Sequence, residues 1–291
     1  MQDLIYHQNN KNEDNKFSIL IPSWNNLAYL KTCIESIEKN SFYTHQIIVL
    51  INEGIDGSIA WAKSKDNIDY ILSKQNIGIC YGLNACLSLV KTDYVLYLND
   101  DMYVLPKWDF YLNEELKNVG HHHFVFSSTM IEPYESKNKC VLFGDYGNSL
   151  NDFKEAKLLG EFEQYEKKDW SGSSWPPLLM HKQTWNLVGG MSIEFSPGMY
   201  SDPDLSAKLW HAGIRLFKGI GKSRVYHFGK KSTGKISQSD AKQKFIKKWG
   251  MSASFFYNKF LLMGNDFEGE LKEPHISIKD KIKNKLKLLW A

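Results

Sequence analysis

No run of apolar residues in this chain reaches the ~18 that a membrane-spanning helix needs. Met1 to Asn15 is polar and Asn-rich and lacks the apolar segment of a secretory leader. Together these absences set the expectation of a cytosolic protein that at most touches a membrane surface. Cysteine is scarce: Cys33, Cys80, Cys86 and Cys140 are scattered, share no metal-ligand spacing and suit a chain kept reduced. A large excess of one charge is also missing. A net charge of +3 gives no global basis for nucleic-acid binding, and no nucleic-acid partner is expected. Internal repeats and low-complexity linkers are absent. What is present is 291 residues, 43% of them hydrophobic, enough for one large domain or for a domain with an elaborated second half.

The first hundred residues alternate strand and helix signals. Phe17-Ser18-Ile19-Leu20-Ile21 is a short apolar strand ended by Pro22, and Asn25 or Asn26 can cap the helix marked by Leu27, Leu30, Ile34 and Ile37. A second strand at 46–51 leaves through the turn-rich segment 52–57. A helix at 58–64, a strand at 68–72 and a helix marked by Leu83, Leu87 and Val90 follow. Four alternations with short connections predict a doubly wound, mostly parallel sheet with helices on both faces. Beyond residue 105 the periodicity weakens. A strand is predicted at 124–130, a variable insert at 131–170, a short helix at 183–188, a helix opened by Ser201-Asp202-Pro203-Asp204, and short strands at 215–218 and 224–228. With Pro203 read as the first helical residue, Asp202 or Ser201 falls at the cap.

The most informative local feature is Asn99-Asp100-Asp101 at the end of the apolar run Tyr94-Val95-Leu96-Tyr97-Leu98. Ligands of such sheets bind beyond the carboxyl ends of the strands, and carboxylates there suit a hard divalent cation that bridges to phosphates. A polar turn after a strand is the competing reading. His121-His122-His123 is read as a polar lead into a strand, because consecutive side chains rarely converge on one ion.

The ordered elements resemble the family 2 glycosyltransferases of the GT-A fold over residues 17 to about 230. Pro22-Ser23-Trp24-Asn25 is similar to that family's first-strand motif, Pro-Thr-Tyr-Asn. The segment 52–58 stands where the family has a polar Asp-Asn-Gly-Ser loop. Asn76-Ile77-Gly78 with Asn84 is similar to its Asn-x-Gly segment, and Asn99-Asp100-Asp101 to its Asp-x-Asp motif. Gly189-Gly190 and Ser201-Asp202-Pro203-Asp204-Leu205 are similar to its Gly-Gly and Glu-Asp-x-Asp-Leu block. His227 stands where many such enzymes supply a further metal ligand. The resemblance implies a GT-A domain at 16–235, with a nucleotide-binding half (16–105), an acceptor and catalytic half (106–235) and a helical extension (236–291). It implies sugar transfer from a nucleoside diphosphate sugar, a UDP-sugar first and GDP- or dTDP-sugars next, to a glycan or lipid-linked glycan acceptor. Inversion, dependence on Mn²⁺ or Mg²⁺, and a place in surface polysaccharide or lipopolysaccharide synthesis go with it.

The resemblance, together with residue chemistry, implies the following roles. Trp24 offers a stacking face, and Ser23 and Asn25 offer hydrogen bonds to a base. Asn52, Glu53 or Asp56 can bind base or ribose. Asp101 is the expected metal ligand, with His227 as the second and Asp100 on the ribose or on metal-bound water. Asp202 is the candidate general base and Asp204 the alternative; a cap role for Asp202 would lower its pKa and weaken it as a base. Trp170, Ser173 and Trp175, with Gly190, are expected to meet the acceptor. Two departures stand out: Asn99 where the family has Asp, and Ile51 where it has Asp. They leave open a non-catalytic relative, against which the presence of Asp101, Asp202 and His227 counts. A sugar-phosphate nucleotidyltransferase is the other alternative, but a Gly-rich basic loop is lacking after strand one. Last, Ile278, Ile282, Leu286 and Leu289 form one helix face among Lys279, Lys281, Lys283, Lys285 and Lys287, next to Trp290. Such a helix suits a membrane surface or packs on the domain itself.

Overall fold

The computed structural model describes residues 4–9, 14–229 and 239–291. The boundary expected at 235–236 lies outside the described residues, as does part of the polar start. The described residues form one eleven-stranded sheet. Its strands are β1 (Ile5–His7), β2 (Ser18–Trp24), β3 (Gln46–Asn52), β4 (Asp69–Ser73), β5 (Tyr94–Tyr97), β6 (Met102–Val104), β7 (Phe124–Glu132), β8 (Val141–Phe143), β9 (Trp170–Ser171), β10 (Leu178–His181) and β11 (Leu216–His227). They lie in the order β1-β4-β3-β2-β5-β10-β7-β11-β6, with β8 on β7 and β9 on β11. The helices are α1 (Leu27–Asn40), α2 (Ser58–Lys63), α3 (Gly78–Cys86), α4 (Trp108–Lys117), α5 (Glu155–Glu161), α6 (Lys182–Leu187), α7 (Ser201–His211), α8 (Ser239–Trp249), α9 (Ala253–Lys259) and α10 (Ile278–Leu289).

The period of two in the central strands supplies two cores. Ile19, Ile21, Val49 and Ile51 face one side and pack with Leu30, Ile34 and Ile37 of α1. Leu20, Ile48 and Leu50 face the other and pack with Leu83 of α3 and Leu205 and Leu209 of α7. Strands buried on both faces read as continuous apolar runs for this reason. Ile51 is 1% exposed, so this departure from the family serves the core. The ladders β2–β3, β3–β4, β2–β5 and β7–β11 are parallel, while β10 runs antiparallel between β5 and β7 and joins the two halves. The expected α/β architecture with helices on both faces is present.

Two expectations are corrected here. Pro22 does not end the first strand: β2 continues to Trp24 along β3, whereas its ladder to β5 stops at Leu20. Proline has no N–H to donate, so β2 keeps only one neighbour from that point. The ends of β2 and β5 are thereby left unzipped. The two short strands expected at 215–218 and 224–228 are a single strand, β11, with an irregularity between Ile220 and Arg224. Arg224, 6% exposed, sends its guanidinium to the carbonyls of Gly221, Phe162 and Tyr165, which ties the insert to the sheet. All four cysteines are free and buried. Among the described residues no helix is long and apolar enough to cross a membrane.

Candidate active site

A cavity of about 820 Å³ opens at the carboxyl ends of β2, β3 and β5. This is the crevice where β3 lies to one side of β2 and β5 to the other, the position at which open α/β sheets bind ligands. Pro22, Ser23 and Trp24 line it from β2, Asn52 from β3, and Asn99, Asp100 and Asp101 from the loop after β5. Residues 197–203, Trp175 and His227 line it further, and α9 contributes Tyr257.

Asp202 is not a helix cap. The cap position of α7 is Tyr200, held at a left-handed φ of 65°, and no side chain caps it. Ser201, Asp202 and Pro203 are therefore the first three helical residues. Proline is tolerated there because first-turn N–H groups have no partner within the helix. Freed from capping, the Asp202 carboxylate lines the cavity, and its Oδ1 is buried without a hydrogen-bond partner. Burial disfavours the charged form and pushes its pKa up to about 7. That value suits a group that takes a proton at neutral pH. Asp204, the alternative base, is 0% exposed and does not line the cavity. Its Oδ1 accepts from Trp249 Nε1 at 2.9 Å and pairs with Lys248 at 2.8 Å. It fastens α7 to α8, and the expectation of a catalytic Asp204 is corrected.

Asp101 and His227 come together as expected. His227 Nε2 lies 3.5 Å from Asp101 Oδ1, and Nδ1 lies 2.7 Å from Glu132 Oε1. Burial opposes a charged imidazole, but hydrogen bonds with Asp101 and Glu132 outweigh it and push the His227 pKa up to about 10. Glu132 was not legible as a site residue; its one signal is a carboxylate closing the apolar strand β7. By engaging Nδ1 it leaves Nε2 directed at Asp101, the outer-shell arrangement that orients a metal-bound histidine. Asp100 is pushed up to about 7, first by burial and then by the Asp101 carboxylate beside it. One carboxylate and one imidazole suit Mn²⁺ or Mg²⁺. Among the described residues no three His, Cys, Asp or Glu gather to hold a metal by themselves. A cation here would draw its remaining oxygens from phosphate and water.

The other expected nucleotide residues divide into lining and support. Asn52 and Asn76 line the cavity; Asn52 Oδ1 also accepts from Ile77 N at 3.0 Å. Glu53 does not line it. Glu53 Oε2 accepts from Trp24 Nε1 at 2.8 Å and from Asn25 Nδ2 at 2.9 Å, which fixes the indole. Asn25 is likewise outside the lining and accepts from Ile55 N at 3.0 Å. Asp56 is a helix-capping residue: it accepts from Leu27 N at 2.7 Å and from Ser58 N at 3.1 Å. The cap expected from Asn25 or Asn26 is thus supplied by Asp56, and Asn26 makes no cap bond. Gly78 acts by its smallness: with φ 75°, a Cβ there would stand 2.6 Å from Pro197 Cα. Asn84 grips Met191, donating to its carbonyl at 2.7 Å and accepting from its N–H at 2.8 Å. A side chain on Gly190 would collide with that amide.

Of the expected acceptor residues, only Trp175 lines the cavity. Trp170 is buried, its Nε1 donating to Thr129 Oγ1 at 2.9 Å, and Ser173 Oγ bonds Ser127 Oγ at 2.6 Å. All three serve packing: Trp170 because β9 pairs into the sheet, Ser173 through its bond to Ser127, and Gly190 by its close approach to Asn84. Sequence reasoning missed Lys137 and Lys139 of the β7–β8 connection and Tyr257 and Asn258 of α9. No local signal marks them, since the tertiary fold alone brings α9 to the crevice.

The crevice lies at the switch point of a sheet of the GT-A type. The glycosyl transferase family 2 model matches residues 18–157, and that segment is a family 2 glycosyltransferase domain. Among solved structures, S. aureus TarS 1-349 in complex with UDP-GlcNAc superposes with a TM-score of 0.58 at 13% identity, over 94% of this chain and 71% of that one. GalNAc-T7 with UDP, GalNAc and Mn²⁺ superposes with a TM-score of 0.56 at 12% identity, over 74% of this chain. The chain spans 44% of the GalNAc-T7 chain. At such identities the likeness shows the fold. No curated protein matches the chain.

Proposed function

We propose that the chain transfers a sugar from a UDP-sugar to a hydroxyl of a glycan acceptor with inversion, Asp202 being the general base. The observation that carries this reading is the Asp202 carboxylate, uncapped, facing the cavity and pushed up to about 7 by burial. Trp24, held by Glu53, presents a stacking face for the base, and Asn52, Asn99 and Asp100 offer polar contacts to base and ribose. The acceptor oxygen forms the new bond to the anomeric carbon, the bond to the diphosphate oxygen breaks, and the acceptor proton passes to Asp202. Attack from the side opposite the leaving group inverts that carbon. Asp101 and His227 would hold a divalent cation, Mn²⁺ or Mg²⁺, which would supply charge neutralisation for the leaving diphosphate. Residues 16–105 serve the donor, 106–235 the acceptor and the base, and the extension closes the acceptor side through Tyr257. Synthesis of surface polysaccharide or lipopolysaccharide at the inner face of a membrane is the setting this reading favours.

The test is a thermal-shift titration with UDP, with and without Mn²⁺, beside turnover of a UDP-sugar panel, for the parent chain and Asp202→Asn. Binding of UDP stabilises the folded state by mass action. The expected result is a UDP shift enlarged by Mn²⁺ in both chains and turnover in the parent alone. Undiminished turnover in the variant would overturn the role of Asp202.

A further inference from the structure

Helix α10 carries its apolar residues outward. Ile278, Ile282 and Leu286 are 78%, 55% and 51% exposed, Leu289 and Trp290 are 73% and 86% exposed, and α10 buries no residue. At helical spacing these five share an arc of about 120°. Lys283 and Lys285 flank the arc, Lys281 and Lys287 lie beyond them on the polar side, and Lys279 falls within it between Leu286 and Trp290. The helix itself is well made: Ser277 caps it, accepting from Asp280 N at 3.1 Å. Its seat on the domain is polar and light. Lys259 stands 3.8 Å from Asp280, and Lys287 Nζ donates to Ser252 Oγ at 3.2 Å. Exposed contacts of this kind hold little free energy. A helix packed firmly onto its own domain would bury its apolar arc, and this one leaves each of the five residues at least half exposed.

The neighbourhood of α10 connects it to the catalytic crevice. A groove of about 660 Å³ runs between α8 and α10, with Lys242 and Ile246 on one wall and Leu286, Lys287 and Trp290 on the other. Ser254, at the start of α9, lines both this groove and the cavity that holds Asp202. Five lysines on α10 against the single acid Asp280 set the sign of the surface. An apolar arc flanked by lysines fits one partner chemistry, a lipid bilayer with anionic headgroups.

We propose that α10 is an interfacial helix that docks the chain on an anionic lipid surface and turns the Ser254 edge of the catalytic cavity toward that surface. Docking stands on the exposure and charge of α10 alone; the presentation of a lipid-linked acceptor at the Ser254 edge rests on the transferase reading above. The full chain is tested by co-sedimentation with vesicles of phosphatidylcholine alone and of phosphatidylcholine with phosphatidylglycerol. Binding to the anionic vesicles is expected to be at least about tenfold tighter and to weaken with salt. The double variant Ile282→Glu, Leu289→Glu is expected to lose at least about tenfold in vesicle binding. Its thermal shift with UDP should match the parent's, because neither residue touches the cavity. Equal affinity for both vesicle types, no binding to either, or a double variant that binds as the parent does would each overturn the inference. A parent of doubled mass in light scattering that the double variant reduces to a single copy, without vesicle binding, would assign the arc to a second copy and overturn it as well. A parent chain that binds neither vesicle type yet keeps its UDP shift refutes docking alone, whereas a parent that binds anionic vesicles without any UDP response refutes the transferase reading alone.

Discussion

Replacing Asp202 by Asn removes a charge from a place that disfavours it, so the variant should gain stability as it loses activity. Burial raises the Asp202 pKa from 3.8 to about 7. A carboxyl group with a raised folded-state pKa contributes its stability as the neutral acid. That contribution is complete below the unfolded value and is lost as pH rises through about 7. Three pKa units correspond to about 4 kcal/mol, and water in the cavity reduces this to about 2 kcal/mol. Asn keeps the shape and never ionises. The parent and Asp202→Asn should therefore unfold at nearly the same temperature at pH 4. By pH 8 the variant should lead by about 4 °C, since about 1 kcal/mol moves a domain of this size by about 2 °C. Differential scanning fluorimetry across that range reads the difference directly. In the parent, kcat/KM should climb with pH and level off above about 7, as the base loses its proton. In the variant, kcat should fall by about 100-fold or more. Parallel stability curves for the two chains would refute the burial argument. A variant less stable than the parent at pH 8 would show that Asp202 is a structural acceptor after all.

Three further outcomes follow from contacts elsewhere. Asp109 is 0% exposed and accepts from Phe42 N, Tyr43 N and His45 Nε2 at 2.9, 2.8 and 2.9 Å. Asp109→Ala should cost about 3 kcal/mol, read as a lower urea midpoint with an unchanged slope. Trp24→Ala should weaken UDP binding by about tenfold in calorimetry, and Trp24→Phe by much less, if the indole stacks on the base; equal affinities would remove the ring from base recognition. Glu132→Gln, which alters the partner of His227 Nδ1, should weaken Mn²⁺ binding by about tenfold while leaving UDP binding without metal unchanged.

Much of the frame was legible because it rests on short-range rules. The strands at 46–52 and 94–97 are apolar runs closed by polar residues, and the cavity opens at their ends. Asp101 and His227 stand far apart in the chain, yet they meet because β11 pairs with β6, directly after the Asp101 turn. Residues with two compatible jobs were less legible. Asn25, Glu53 and Asp56 sit in the right loops and Asn84 on α3 beside the crevice, but hydrogen-bond geometry decides whether a polar side chain there faces a ligand or its own protein. Asp56 spends both oxygens on backbone and hydroxyl donors of α1 and α2. Trp170 and Ser173 read as a sugar-binding loop from composition, but a two-residue strand pairing holds Trp170 in the sheet and Ser173 bonds the buried Ser127.

The choice between Asp202 and Asp204 rests on where α7 begins. A proline at the first helical position would make Asp202 the cap, its carboxylate drawn to backbone N–H groups and its pKa lowered. The helix instead starts two residues earlier, because Tyr200 takes the left-handed conformation and places Pro203 third. Asp202 and Asp204 then lie about 200° apart around the axis, since each residue turns the helix by about 100°. One carboxylate faces the cavity, and the other faces α8, where Trp249 and Lys248 engage it. Spacing alone therefore leaves the two acids equivalent, whereas a shift of two positions in the helix start turns one toward the cavity and makes the other a clamp. The same shift accounts for the raised pKa of Asp202, because a residue relieved of capping in a buried first turn retains its desolvation without the N–H partners that would offset it.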